Sequence, residues 1–290
     1  MSSQYSFRFH FSPTLHPILF SVPQTNQYQT ITHLTIPADR ELLAVGDNQV
    51  LSISHDTTVS FDYVAHAIKR SFSLEYTLFD YEKNHIDKNF YLKPNRFIDG
   101  FDSDIMTVLQ QVLSGIHTNS LFEIIWNVYQ HVLSVLTYGD PITGLYTVKQ
   151  ALTKPRTDCG GFSTLLLSLL QSKGIPARLV SGFFVNPKRF QKIQSKLLAP
   201  ELSFEALAMH VWVEVLLPDG SWFPIDPATE WRRSHGFSKR KGGFGVTEAD
   251  RLVVSYGCDH MFTFDERKIQ VDLLQYPVAA MACKPGMTYF

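Results

Sequence analysis

Apolar and polar residues alternate in several runs within the first hundred residues, which is typical of half-buried β-strands. The runs are TITHLTI, VLSIS, TTVSFDYVAHAI and FSLEYTLFDY, and they are rich in β-branched and aromatic residues. Turn signals separate them, as at residues 37–39 and 46–48. Several short strands at this spacing predict a small antiparallel β-sandwich.

The hydrophobic period changes to that of helices further along the chain. In SDIMTVLQQVLSGI and SLFEIIWNVYQHVLSVLTY, apolar residues recur three and four positions apart, with Ser103 and Ser120 as candidate N-caps. The change falls near residue 98. The pattern therefore predicts an α+β protein with two domains, an N-terminal β-sandwich over residues 1–98 and a mixed core over residues 99–290.

Within that core, the stretch TDCGGFSTLLLSLLQSKGIPARLV predicts a helix that begins at Cys159. Gly174 fits the left-handed position after the last turn, and Pro176 prevents the helix from continuing. Residues 177–185 then predict a buried strand, and HVWVEVLLPDGSWFPIDP predicts a hairpin. Residues 186–208 are polar with weak helical character, and we expect them to lie over the side of the core that carries the chemistry.

Three side chains from this region have the chemistry of a thiol acyl-transfer site. At the start of a helix, Cys159 would be close to the positive end of the helix dipole, which favours thiolate. His210 could accept the thiol proton, and Asp226 could fix the tautomer of the imidazole. The glycines at 160 and 161 leave the backbone unshielded, so that the Cys159 N–H could donate to an oxyanion. Asp158 is interpreted as the ordinary cap of the helix.

The hairpin pattern adds a structural condition to this hypothesis. If Leu217 lies opposite Trp222, Asp226 lies opposite Val213, on the wrong face of the ribbon. A single β-bulge would correct the face, and Pro224, which cannot donate a ladder hydrogen bond, is the expected place for it. The hypothesis therefore predicts an irregular second strand.

Composition limits the classes of protein to which the chain can belong. Of its 290 residues, 44% are hydrophobic and 18% charged, and the net charge is −1, so there is no general attraction to nucleic acid or to an anionic membrane. No apolar stretch approaches the length of about 20 residues that spans a bilayer, and the N-terminus does not resemble a signal peptide. Three widely separated cysteines do not form a disulfide framework. These features predict a cytoplasmic protein.

Several other features have ordinary interpretations. The basic run RRSHGFSKRK is predicted to be a solvated loop, with a loop that contacts carboxylate or phosphate as the alternative. Residues 242–245 lack the lysine of a phosphate loop and are predicted to be flexible. Arg178 is expected in a structural ion pair, and Trp212 and Trp222 in the core rather than in cleft walls. The other cysteine and histidine side chains that could bind zinc are Cys258, His260, His235 and Cys283. No common zinc site has their spacing, so metal binding is not expected.

The order of these segments resembles that of a known family. PRTDCGGFSTLLLSLLQSKGIPARLVSGFF, followed by HVWVEVLLPDGSWFPIDPATEW, is similar to the transglutaminase-like superfamily of papain-like folds, in its bacterial and archaeal branch. The resemblance implies a half-barrel of antiparallel strands against the cysteine helix, with Cys159 as nucleophile, His210 as base and Asp226 as orienting carboxylate. A weaker resemblance covers the β-rich N-terminal region and the closing strands.

The resemblance leaves the reaction open, since the superfamily includes cross-linking enzymes, peptide hydrolases, glycoprotein amidases and inactive members. The chain has no evident cluster of acidic calcium ligands, and no upstream tryptophan matches the one that helps to form the oxyanion hole of the calcium-dependent enzymes. Tyr138 is either a substitute for it or a core residue at a helix end. Hydrolysis of a protein or peptide amide through an acyl-enzyme, without a cofactor, is the first prediction. A protein-glutamine transglutaminase and a non-catalytic binding module are the alternatives.

Overall fold

The computed structural model describes residues 4–11, 17–37, 42–116, 118–185, 207–264 and 267–279. Almost all of the segment 186–208, which was expected to lie over the chemical side of the core, falls outside these residues. The internal contacts divide the chain into two compact units, and both are built from separate segments. The first unit comprises residues 1–68, 181–210 and 248–290, and the second comprises residues 69–180 and 211–247. The expected division into domains 1–98 and 99–290 stays a prediction.

In chain order the strands are β1 (Gln4–Phe11), β2 (Ile18–Ser21), β3 (Gln29–Thr35), β4 (Leu42–Val45), β5 (Asn48–Ile53), β6 (Thr57–Ala65), β7 (Ile68–Lys69), β8 (Thr137–Tyr138), β9 (Arg156–Thr157), β10 (Ala177–Val185), β11 (Leu207–Leu216), β12 (Trp222–Ile225), β13 (Val246–Thr247), β14 (Arg251–Tyr256), β15 (His260–Phe264), β16 (Arg267–Val271) and β17 (Val278–Ala279). The helices are α1 (Asp80–Lys83), α2 (Ser103–Val112), α3 (Leu121–Val135), α4 (Val148–Thr153), α5 (Cys159–Ser172) and α6 (Pro227–Ser234), and Asn89–Leu92 forms a 3₁₀ turn.

The first unit contains antiparallel sheets that include the first three alternating runs. The fourth run, residues 72–81, was wrongly predicted to be a strand: it lies in the second unit, contains no strand and leads into α1. One sheet has the strand order β1-β6-β3, and another has the order β17-β2-β5-β4. Every second residue of β6 is buried, which is the pattern of a strand with one face toward a core. Side chains from both sheets meet in one cluster, in which Phe11 and Val59 of the first sheet pack with Phe20 and Leu51 of the second. This is the packing of a β-sandwich.

A second cluster of the first unit joins residues that are distant in the chain. Phe7 and Phe61 from the N-terminal strands pack with Phe183, Leu207 and Leu252. The N-terminal strands therefore share their core with strands that follow the cysteine helix.

The second unit is built around α5, which contacts α2, α3, α4 and α6. From Gly160 to Gln171 every residue of α5 is buried, so the helix forms the centre of the unit rather than one of its surfaces. Its C-terminus has Gly174 at φ 73°, as the sequence predicted. Ser120 caps α3 as predicted, whereas α2 is capped by Asp102, one residue before the predicted Ser103.

Strands β10 and β11 belong to a four-stranded sheet of order β12-β11-β10-β14, and both contain residues of each unit. The hairpin of β11 and β12 differs from the prediction by one residue: Leu216, not Leu217, lies opposite Trp222. The difference arises in the turn: the Leu217 N–H donates to the Ser221 carbonyl at 2.8 Å, which continues the observed register and leaves only residues 218–220 in the loop.

This register makes the predicted bulge unnecessary. The strands pair regularly past Pro224, so the bulge expected there is wrong. Continued by one residue, the pairing puts Asp226 level with Trp212, whereas the predicted register put it level with Val213. Trp212 and His210 point to the same side of their strand, since side chains alternate with a period of two.

Candidate active site

Cys159 is the first residue of α5, and the residue before it caps the helix. The Asp158 carboxylate accepts from the Gly160 N–H at 2.8 Å and from the Ile142 N–H at 3.2 Å. Asp158 is thus the N-cap that the sequence predicted, and it also ties the preceding loop to the start of the helix.

The two glycines that follow are closely packed, Gly161 more tightly than Gly160. A Cβ at position 161 would overlap the Thr157 side chain, and a Cβ at position 160 would come within 3.0 Å of Leu145 Cδ1. The helix therefore begins in close contact with β9 and with the loop before α4. This is a second reason for the glycine pair, in addition to the exposed backbone that the sequence suggested.

Most of the groups around the sulfur in the second unit oppose its ionisation. Burial raises the pKa of the Cys159 thiol to about 12, the negative charges of Asp158 and Asp226 add to the increase, and a hydrogen bond from the Val211 backbone opposes it. The expectation that the helix terminus favours thiolate is therefore outweighed by burial. Val211, which contacts the sulfur, is the residue after His210 in the chain.

His210 lies in the first unit, on β11, and is almost fully buried. Its ring stacks on the ring of Phe184 with centroids 4.2 Å apart and planes 25° apart. Its carbonyl accepts from Gln275 Nε2 at 3.1 Å, and the same amide group also donates to the Gly182 carbonyl. Sequence reasoning assigned no role to Phe184 or Gln275, because their contacts with His210 depend on tertiary structure and not on a local pattern.

Asp226 follows β12 directly and is the N-cap of α6. The side chain is fully buried, and its Oδ1 accepts from the Thr229 N–H at 2.9 Å. Pro227 occupies the first helical position, which suits the missing proline N–H. The Asp226 carboxylate thus has a structural role whatever its part in chemistry.

Tyr138 lies beside the thiol on β8 rather than at a helix end. Parallel pairing places it opposite Thr157, two residues before Cys159. The Arg232 guanidinium lies 4.8 Å from the centre of its ring. Burial raises the pKa of the Tyr138 hydroxyl to about 12, and the next cause is the charge of Cys159. The phenol is therefore a neutral donor at physiological pH, within electrostatic range of the sulfur.

Within the second unit, then, Cys159, Asp226 and Tyr138 interact electrostatically. His210 belongs to the first unit, and its role remains a prediction.

Arg178 and the two tryptophans have structural roles. The Arg178 guanidinium is 2.7 Å from Glu214 Oε2, with the Glu214 carboxylate almost fully buried, and it also lies over the Trp222 ring at 3.8 Å. This confirms the structural ion pair. Trp212 is fully buried in the core, whereas Trp222 is only partly covered.

Residues 242–245 are not a flexible loop, and this prediction was wrong. Phe244 forms an antiparallel bridge with Ile225, and the Gly245 N–H donates to the Pro224 carbonyl at 2.8 Å. The segment is thus held along the outer edge of β12; we call residues 242–245 the glycine strap. Of the basic run before it, the first residues complete α6, and most of the remainder is exposed.

No group of three or more histidine, cysteine, aspartate or glutamate side chains that could hold a metal ion occurs in the part of the chain that the structure describes. Of the rejected zinc candidates, Cys283 falls outside that part, and burial lowers the pKa of His260 to about 4. None of the helices between residues 4 and 279, apart from the gaps given above, is long and apolar enough to cross a bilayer.

Comparisons with known proteins found one family model and several solved structures similar to this chain. Residues 107–227 match the family model of the transglutaminase-like superfamily. A putative cysteine protease from Cytophaga hutchinsonii is similar over 89% of this chain and 84% of its own, with a TM-score of 0.54 at 16% identity. The periplasmic domain of TgpA from Pseudomonas aeruginosa is similar over 82% of this chain and 77% of its own, with a TM-score of 0.43 at 15% identity.

No curated protein matches the sequence. At such low identity the first structure shows a shared fold, and the predicted α+β class with N-terminal antiparallel sheets is confirmed. Over residues 107–227, the chain is similar to the transglutaminase-like superfamily.

Proposed function

We propose that this protein is a thiol-dependent amide hydrolase of the cysteine peptidase type, acting on protein or peptide substrates, with Cys159 as nucleophile, His210 as base and Asp226 as orienting carboxylate. The observation that carries the proposal is the position of Cys159: it begins a buried helix, its sulfur accepts a hydrogen bond from the residue after His210, and it lies within electrostatic range of Asp226. A cytoplasmic location and the absence of nucleic-acid or membrane partners are parts of the same proposal.

In the proposed reaction, His210 accepts the thiol proton and the sulfur attacks the amide carbonyl. The tetrahedral oxyanion accepts hydrogen bonds from the Cys159 N–H and from the Tyr138 hydroxyl. Collapse breaks the C–N bond, and the imidazolium gives its proton to the leaving amine. Water then attacks the thioester with His210 again as base, which releases the acid and restores the thiol.

The raised pKa of Cys159 makes the imidazole essential to this scheme. Burial and two carboxylates oppose thiolate, so that only a nearby positive charge could lower the thiol pKa into the working range. Replacing His210 by glutamine should therefore shift the ionisation of Cys159 to higher pH.

The experiment is the pH dependence of alkylation by iodoacetamide, followed for each cysteine by mass spectrometry of peptides. In the unaltered protein, Cys159 should react much faster than Cys258, with a plateau below about pH 8. In His210→Gln the plateau should disappear while the rate of Cys258 stays unchanged. Identical profiles for Cys159 in both proteins would show that His210 is not its base.

One observation favours the alternative of a non-catalytic binding module, namely the same raised pKa, since a thiol that stays protonated is inert. Equal and slow labelling of Cys159 and Cys258 would support that alternative. If Cys159 is reactive, incubation with a glutamine-containing protein and a fluorescent amine separates the two enzymes: incorporation of the amine indicates a transglutaminase, and release of acid alone indicates a hydrolase.

A further inference from the structure

The glycine strap lies against the backbone of Asp226. The Asp226 N–H donates to the Gly243 carbonyl at 2.9 Å, and the strap makes two further contacts with β12 through Phe244 and Gly245. The backbone of Asp226 is thus fixed by a segment that follows it by about sixteen residues in the chain.

The glycines of the strap allow this close approach. Gly243 has φ 130°, and a Cβ there would lie 2.9 Å from the Tyr129 hydroxyl and 3.0 Å from Glu230 Oε2. Gly245 has φ 73°, and a Cβ there would overlap the Arg70 carbonyl. At both positions the backbone conformation and the lack of space require glycine.

Phe244 holds the strap in place through its ring. Its centroid lies 4.9 Å from that of Phe223, 5.1 Å from Trp126, 5.4 Å from Tyr129 and 5.8 Å from Phe122, mostly in tilted or edge-to-face arrangements. Such contacts are favourable beyond the area that they bury. The other three residues of the strap are glycine, so Phe244 provides its one side chain. That side chain lies in an aromatic cluster formed by α3 and β12.

We infer that the strap is a positioning device for Asp226, with Phe244 as its anchor. The carboxylate of Asp226 is held on one side by the N-terminus of α6, through Thr229. Its backbone is held on the other side by the strap. Phe244 touches no reacting atom and acts through the Gly243–Asp226 hydrogen bond. The effect of the strap on the reactivity of Cys159 rests on the proposed function, whereas its hold on the Asp226 backbone does not.

The structural part is tested by amide hydrogen exchange measured by NMR. Phe244→Ala should accelerate exchange of the Asp226 amide by about tenfold or more, because its acceptor is released. Phe122→Ala is the matched control: it removes a ring from the same cluster but leaves the strap anchored. Phe244→Leu, which keeps part of the packing, should give an intermediate rate, and it replaces the alanine variant if that does not fold. Equal exchange of the Asp226 amide in Phe244→Ala and Phe122→Ala would overturn the inference.

The chemical part is tested by a double-mutant cycle on the alkylation rate of Cys159 near neutral pH. Asp226→Asn and Phe244→Ala should each lower the rate by roughly tenfold, and the double variant should be no slower than Asp226→Asn alone, because both changes remove the same carboxylate contribution. Effects that multiply would overturn the inference. If neither single change alters alkylation while Phe244→Ala still frees the Asp226 amide, the proposed function fails and the strap stands.

Discussion

Two buried aspartates act on Cys159 from different positions in the second unit. Asp158 caps α5 and Asp226 caps α6, and each raises the pKa of the thiol by its negative charge, with Asp158 the stronger of the two. Of the two, only Asp226 is also proposed to stabilise the imidazolium of His210. That positive charge would favour the thiolate and so offset the increase in the thiol pKa. Replacement of these two aspartates should therefore have opposite consequences.

We predict that Asp158→Asn lowers the pKa of Cys159. Asparagine caps a helix about as well as aspartate, so α5 should still begin at Cys159. The substitution removes the carboxylate whose charge raises the thiol pKa most. The measurement is again the pH profile of Cys159 alkylation, which should shift to lower pH. Asp140→Asn is the control, because Asp140 is exposed and pairs with Arg156. A shift to higher pH would contradict the electrostatic account.

The start of α5 shows how packing can override helix propensity. Alanine is favoured over glycine in a helix by about 1 kcal/mol, yet a Cβ at position 161 would overlap the Thr157 side chain. Since β9 and α5 are joined by a single residue, neither element can move away easily.

Gly161→Ala should therefore lower the free energy of unfolding by roughly 1–3 kcal/mol, the usual cost of overpacking. Urea unfolding followed by circular dichroism measures the difference. Adding Thr157→Ala should restore part of the loss, because it removes the overlapping hydroxyl. If Gly161→Ala alone is stabilising, the helix has room at its start and the packing argument is wrong.

Elements with local signals were predicted well from the sequence. The start of α5, its end at Gly174 and the burial of β10 follow from caps and hydrophobic runs within a few residues. The hairpin register was missed by one residue, because it depends on a single hydrogen bond in the turn, from Leu217 to Ser221.

Features that depend on distant partners left no sequence signal. The glycine strap looked flexible because glycine-rich segments often are, and the rings that hold Phe244 come from other parts of the chain. The stack of Phe184 on His210 likewise joins neighbouring strands whose pairing no local pattern reveals. The residues of the candidate site could thus be named from the sequence, but their supports could not.

At the scale of the molecule, the chain does not build its compact units one after the other. The first unit is made up of the N-terminal strands, the second half of β10, the start of β11 and the strands after residue 248. Phe7 and Phe61 bury side chains against Leu207 and Leu252 within that unit. Removal of the N-terminal strands would therefore expose apolar residues of the later strands.

The fragment 99–290 should consequently fail to fold cooperatively. Loss of a buried phenylalanine costs about 3–5 kcal/mol, so that losing Phe7 and Phe61 together approaches the entire stability of about 5–15 kcal/mol of a typical protein. Thermal unfolding by circular dichroism, with the full chain and its Phe61→Ala variant as references, measures this. A sharp transition in the fragment, with Cys159 alkylated as in the full chain, would instead support the predicted two-domain division.

The interleaving of the units also affects how the family match can be used in protein engineering. The match ends at residue 227, whereas β14, the neighbour of β10 in its sheet, begins at Arg251. A chimera that carried only the matched segment between foreign flanks would leave an open hydrogen-bonding edge along β10, and such edges recruit other chains. Swaps between relatives should therefore exchange whole sheets, with exchange points chosen by strand order instead of by sequence similarity.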